Sequence, residues 1–178
     1  GDDEGDLATP PTATCAATVA SGAGTYDIVA SGGADDNYVF AYADGTLTIQ
    51  PAPLVCTADD KTKVYGSANP DLTISYTGLK NGETALATPP IAACAADGTS
   101  PVGAYDITLT GGSDPNYDLT REDGTLTVTA KLLTVTAEHK TRLYGDPNPA
   151  FTVTCDGFVN GDDEGDLATP PTATCAAT

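Results

Sequence analysis

The sequence predicts an all-β chain of tandem small domains, on three observations: closely spaced turn formers, short stretches of alternating apolar residues, and internal repetition. The 178 residues include 19 Gly and 13 Pro against three Phe and no Met or Trp. Few stretches escape a turn former, which excludes long helices. Hydrophobic residues still make up 40% of the chain, enough for a core of small side chains. A two-sheet, immunoglobulin-like β-sandwich is the expected architecture. A β-grasp domain is the alternative, and it would need a helix for which no apolar periodicity exists.

Repetition occurs at two levels. Residues 1–18 (GDDEGDLATPPTATCAAT) recur unchanged at 161–178, a period of 160 residues. Within that period lie two related halves offset by 79. Tyr26-Asp27-Ile28 matches Tyr105-Asp106-Ile107, Asn37-Tyr38 matches Asn116-Tyr117, and Lys63-Val64-Tyr65-Gly66 matches Arg142-Leu143-Tyr144-Gly145. Residues 45–49 (GTLTI) likewise match 124–128 (GTLTV). The register changes only between 161 and 167, where two residues are added. The expected organisation is the back of an A-type domain (1–50), a complete B-type domain (51–130) and the front of the next A-type domain (131–178). The chain then reads as one unit and the start of another. Neither a Met nor a signal peptide stands at Gly1, so a preceding part is expected.

In the B-type stretch, Leu54, Cys56 and Ala58 alternate with Val55 and Thr57, which predicts a strand with the first three inward. Leu72, Ile74 and Tyr76 repeat the pattern. Further strands are expected around 92–94, 105–109, 117–119 and 126–128, with Thr on outward positions. Asn81-Gly82, Gly111-Gly112 and Asp123-Gly124 supply turns, because Asn and Gly tolerate positive φ.

Five cysteines are an odd number for an oxidised protein. The repeat resolves the count: Cys175 is Cys15 one period on, so each unit owns four, Cys15, Cys56, Cys94 and Cys155. Pairing within domains gives Cys56 with Cys94 and Cys155 with Cys175, and leaves Cys15 to a partner in the preceding unit. Such loops contribute on the order of 3 kcal/mol each, and disulfides imply an oxidising, extracellular compartment. Free buried thiols are the alternative. Metal thiolates are disfavoured by the lack of any C-x-x-C pair.

Tyr65-Gly66-Ser67-Ala68-Asn69-Pro70 and Tyr144-Gly145-Asp146-Pro147-Asn148-Pro149 each open a repeat that continues through Gly78 or Gly157. Where the copy is complete, it runs on to residues 101–107 (PVGAYDI) and closes with Asn116-Tyr117 and residues 124–128. This pattern resembles the MBG domain of YGX type, found in tandem in large bacterial surface and secreted proteins often classed as adhesins. The resemblance implies surface display, spacing or adhesion, and brings no catalytic residues with it. Physically, Tyr65 is expected to cap the core, Gly66 to permit a tight turn, and Pro70 to fix the start of the next strand.

Chemistry beyond structure finds little footing. His139 is the single histidine and sits on an expected strand position facing outward. The cysteines lack basic neighbours, and no Gly-rich phosphate cradle precedes a helix. The net charge of −18, with 7 basic residues against 25 acidic, argues against nucleic acid and anionic membranes. Nothing approaches the roughly 20 apolar residues of a membrane-spanning helix. Acidic turns are the one opening for a cofactor, Ca²⁺. They are Asp162, Asp163, Glu164 and Asp166, their duplicates Asp2, Asp3, Glu4 and Asp6, and the pair Asp35-Asp36-Asn37 and Asp114-Pro115-Asn116. None has the D-x-D-x-D-G spacing of a dedicated calcium loop.

The expected function is a non-enzymatic structural unit of an extracellular filament, stalk or fibre. An adhesive module gripping a surface ligand is the alternative, with Tyr38 and Tyr42 its only aromatic candidates. The links Ile49-Gln50-Pro51-Ala52-Pro53 and Val128-Thr129-Ala130-Lys131-Leu132 leave little slack, which suits a rod. The expected partners are neighbouring repeats of the same array, with lateral self-association left open. Strand complementation between chains ranks lower, because the 18 duplicated residues would be redundant there.

Overall fold

Strands, turns and two single-turn 3-10 segments account for the regular structure in a computed structural model that describes residues 3–176. In chain order the strands are β1 (Thr9–Cys15), β2 (Gly24–Ala34), β3 (Gly45–Ile49), β4 (Ala52–Ala58), β5 (Lys61–Val64) and β6 (Ile74–Thr77). They continue with β7 (Ile91–Cys94), β8 (Gly103–Thr110), β9 (Tyr117–Glu122), β10 (Gly124–Thr129), β11 (Thr134–Ala137) and β12 (Val153–Asp156). The 3-10 turns are Glu4–Asp6 and Glu164–Asp166. No α-helix occurs among the described residues, so the helix that a β-grasp domain requires is missing.

The strands form four small sheets, ordered β1-β2-β3, β6-β4-β9, β5-β10-β8-β7 and β11-β12. The chain divides into two compact units. Gly1–Thr57, Ile74–Ile91 and Leu109–Glu122 form the first; Ala58–Thr73, Ala92–Thr108 and Asp123–Thr178 form the second.

In the first unit, β2 lies between β1 and β3, antiparallel to both, with Ala13 opposite Ala30 and Tyr26 opposite Leu47. The second sheet is centred on β4, which runs parallel to β9 from Ala52 opposite Tyr117 to Thr57 opposite Glu122. Leu54, Cys56 and Ala58 are buried on one face of β4, as their alternation requires.

In the second unit, β10 is central to its sheet. It runs antiparallel to β8, with Leu126 opposite Tyr105, and parallel to β5, with Leu126 opposite Lys61. Leu126, Val128 and Ile107 are at most 1% exposed. The parallel pairing and β5 itself have no apolar signal in the sequence. Lys63, the single buried charged residue described, is held there because its ammonium donates to the carbonyls of Ser67 and Asp97.

Every buried residue described lies between Leu54 and Val128. Val135 and Ala137, whose place 79 residues after the inward Cys56 and Ala58 makes them core positions by repeat, are exposed. Their strand β11 has β12 as its one hydrogen-bonded neighbour, whereas β4 has β6 and β9. His139 is exposed, as expected, but lies just beyond β11 rather than on a strand. Asn81, Gly82, Gly111 and Gly112 take positive φ at their turns, whereas Gly124 instead opens β10.

Candidate functional site

The residues singled out by the sequence fall into three groups: the thiols, which the structure leaves apart, the acidic turns, and the links between repeats. The five cysteines are unpaired in this structure. Cys56 is fully buried on β4, Cys94 and Cys155 are half-buried on β7 and β12, and Cys15 and Cys175 are exposed. Burial pushes the Cys56 thiol up, against the opposing pull of Arg121. Cys155 is raised by burial first, then by its hydrogen bond to Glu164 and that carboxylate's charge. Protonated thiols of this kind are poor nucleophiles.

The acidic turns fold onto themselves. The Asp163 carboxylate accepts the Gly165 N–H (2.7 Å), and the Asp166 carboxylate accepts the Asp163 N–H (2.9 Å). This reciprocal capping box satisfies amides at the start of the 3-10 turn. Asp3, Gly5 and Asp6 repeat it at 2.8 and 2.9 Å. Asp2 and the side chain of Glu4 lie outside what the structure describes. Asp114 accepts from Asn116 and Ala87 (2.8 and 3.1 Å), and Asp35 does the same one repeat earlier for Asn37 and Ala8 (2.8 and 3.3 Å). Among the described residues, no three His, Cys, Asp or Glu side chains group to hold a metal. These carboxylates serve the backbone, as Asp does in Asx turns.

The links carry side-chain hydrogen bonds of their own. Only Gln50 and Pro51 separate β3 from β4. There the Asn116 carbonyl accepts the Ala52 N–H (2.8 Å), while its side-chain Oδ1 accepts the Ala23 N–H (2.8 Å). One asparagine thus ties the loop before β2 and the start of β4 to the start of β9. Beside it, the Tyr117 hydroxyl donates to Glu83 (2.6 Å) and accepts from the Lys80 N–H (2.8 Å). The hydrogen bond to Glu83, then burial, raise the Tyr117 phenol. A cavity of about 270 Å³ opens here, with Val19, Ile49, Lys80, Asn116 and Tyr117 in its lining.

At the second link, between β10 and β11, Asn160 donates from Nδ2 to the Gly98 carbonyl (3.1 Å). The YGX turn sits here. Gly66 takes φ +84°, and a Cβ on it would collide with the side chain of Val159, so two independent constraints fix glycine. Tyr65, expected to cap a core, is only half-buried. It lines an apolar cavity of about 230 Å³ with Val102, Leu133, Phe158, Val159 and Leu167. The Tyr65-Gly66 copy of the YGX motif is therefore a joint element, whereas Tyr144 is fully exposed and Gly145 has no atom near its Cβ position. Lys63 and Asn160 were not singled out as functional from sequence, and Asn116 entered only as part of an acidic turn; Asn160-Gly161 repeats the Asn81-Gly82 turn signal and was the available clue.

An all-β chain whose motifs recur at a fixed offset belongs to the class of tandem repeat modules. The chain is a member of the MBG domain (YGX type) family, matched over residues 1–48, 54–127 and 133–178. Membership suggests a surface or adhesin-like repeat module, secreted or displayed. No curated protein and no solved structure matches the chain. No helix among the described residues is long and apolar enough to cross a membrane.

Proposed function

We propose that this chain is the structural repeat unit of an extracellular bacterial filament, stalk or fibre, without enzymatic activity. Its domains are then 1–50, 51–130 and 131–178, each complete copy closing as a β-sandwich. Neighbouring repeats of the same array are its partners. The observation that carries this reading is the construction of the links: a two-residue connection at β3–β4 and an asparagine side chain bridging at each link. Short links with their own hydrogen bonds resist bending, which a load-bearing rod needs and a freely jointed tether does not.

Disulfides belong to the same proposal. On oxidation, Cys56 pairs with Cys94, Cys155 with Cys175, and Cys15 with a cysteine of the preceding unit. The support is the even count per period and the inward placement of Cys56 and Cys155. Mass spectrometry of the unreduced protein would show two hydrogens lost per bond, and an unchanged thiol count would remove this part of the proposal. For the whole reading, electron microscopy of native material should show rods with a two-domain axial repeat. Scattered globules would overturn it. An adhesive role instead draws on Tyr38 and Tyr42, each 48% exposed, with Tyr42 stacked at 6.4 Å on Phe40.

A further inference from the structure

We propose that residues 51–130 form a mechanical clamp, whose entry and exit strands lie in parallel ladders that a pull along the array loads in shear. The entry strand β4 pairs in parallel with β9 over six positions, from Ala52 opposite Tyr117 to Thr57 opposite Glu122. The following strand, β5, pairs in parallel with the exit strand β10 over four, from Lys61 opposite Leu126 to Val64 opposite Thr129. Both ladders keep the same offset of 65 residues.

The direction of the load follows from that register. Tension from the preceding repeat draws β4 toward its own N-terminus. Tension from the following repeat draws β10 toward its C-terminus. Against parallel partners, each pull slides one strand along the other, and the evenly spaced rungs share the force. Antiparallel entry and exit strands would instead present both pulled ends on one side and open rung by rung. A single backbone hydrogen bond contributes little by itself, so sharing the force is what gives the ladder its resistance.

Both ladders are secured beyond their strand registers. The Ala52 N–H donates to the Asn116 carbonyl (2.8 Å) near the entry, and the Tyr65 N–H donates to the Thr129 carbonyl (2.9 Å) near the exit. Thr57 Oγ1 donates to the Glu122 carboxylate (3.0 Å), and the Thr125 N–H donates to the Asp60 carboxylate (2.7 Å). Thr129 Oγ1 donates to the Lys63 carbonyl (3.2 Å). Every one of these bonds ties residues 51–65 to residues 116–130. Within β4 only Pro53 is exposed, and within β10 only Thr127, so water is poorly placed to replace a strained rung. The links add little slack: Gln50 and Pro51 alone lie between β3 and β4, and residues 130–133 between β10 and β11.

That the array carries tension rests on the structural-repeat reading, whereas the shear geometry rests on the register alone. Optical-trap pulling on the full chain tests it, under reductant so that no disulfide holds the strands. Clickable handles in place of the exposed Gln50 and Lys131 define one pulling axis, and handles at Gln50 and the exposed Pro115 define another. The first axis shears both ladders. The second separates the adjacent starts of β4 and β9 and peels the same rungs in turn. The first should hold to a several-fold higher force and then give way abruptly. Equal forces along the two axes, or gradual low-force opening along the first, would overturn the clamp. Rods in electron micrographs together with equal forces would sink the clamp alone. Scattered globules together with unequal forces would sink the rod and leave the clamp standing.

Discussion

Residues 3–16 and 163–176 are the same sequence in two surroundings. Both build the 3-10 turn with its reciprocal Asp capping box. Only the first goes on to form a strand, β1, whose register from Thr9 to Cys15 is set entirely by β2. The turn is encoded within four residues and travels with the sequence. The strand is not encoded locally; it needs a neighbour to accept its hydrogen bonds. The family segments 54–127 and 133–178 differ by the same logic on a larger scale: the first carries buried side chains and the second none among the described residues.

Paired substitutions at equivalent positions sharpen that comparison. Leu126→Ala, in the complete repeat, should cost about 2–5 kcal/mol in urea denaturation, because a fully buried side chain leaves a cavity. Leu47→Ala, 79 residues earlier, should cost under about 1 kcal/mol, because that side chain is 39% exposed. Equal costs would break the claim that the two settings differ.

Glycine gives the next largest contrast. A Cβ on Gly124 would collide with the Ala58 carbonyl, so Gly124→Ala should destabilise by about 1–3 kcal/mol. At Gly45 the nearest atom is Ile28 Cβ at 3.6 Å, an ordinary contact, and Gly45→Ala should lie within about 0.5 kcal/mol of wild type. Thermal melts of the two variants decide it.

The duplicated segment itself can be followed by amide exchange. Hydrogen-bonded amides of β1 should be protected and those of 171–175 should exchange freely, because only the former have a paired strand. Similar protection in both would mean that the second copy has found a partner strand after all.

The smallest effect concerns one turn. The Asp97 carboxylate accepts from Thr99 and Ser100, and these bonds hold its pKa below the ordinary value of 3.8. A depressed folded pKa means stability that is present at neutral pH and is lost as pH falls through that value. Thr18, its counterpart, builds the same turn with a hydroxyl accepting the Ala20 N–H. Asp97→Thr should therefore remove a small part of the acid sensitivity of the complete repeat, read from melting temperature against pH.

Much of the complete repeat was legible in the sequence, for a physical reason. Leu54, Cys56 and Ala58 alternate because one face of β4 is buried, and burial writes itself into residue choice. Strand β5 was not legible, since Lys61-Thr62-Lys63-Val64 carries no apolar alternation. Its place depends on carbonyls and a parallel partner far along the chain. Val135 and Ala137 misled in the opposite direction: the pattern is right for a core, and the structure gives their strand no second neighbour to cover it. The joint role of Tyr65 was hidden because a tyrosine beside a turn glycine looks the same whether it covers its own domain or meets the next. The acidic turns could have been read correctly, since Asp163-x-x-Asp166 is a capping-box spacing.

The parallel pairing has a kinetic consequence. Thr57 meets Glu122, and the Thr125 amide meets Asp60, each across 65 residues of chain. A strand pairing of that span closes a long loop before it gains its contacts, so this repeat should refold more slowly than a hairpin-built domain of its size, as stopped-flow refolding would show. A chain emerging N-terminus first holds β4 and β5 without their parallel partners until β9 and β10 arrive. During that interval a neighbouring repeat offers nearly the same strands. Divergence between the alternating halves, such as Cys56 against Val135 and Lys63 against Arg142, distinguishes a repeat's own strands from those of its neighbour.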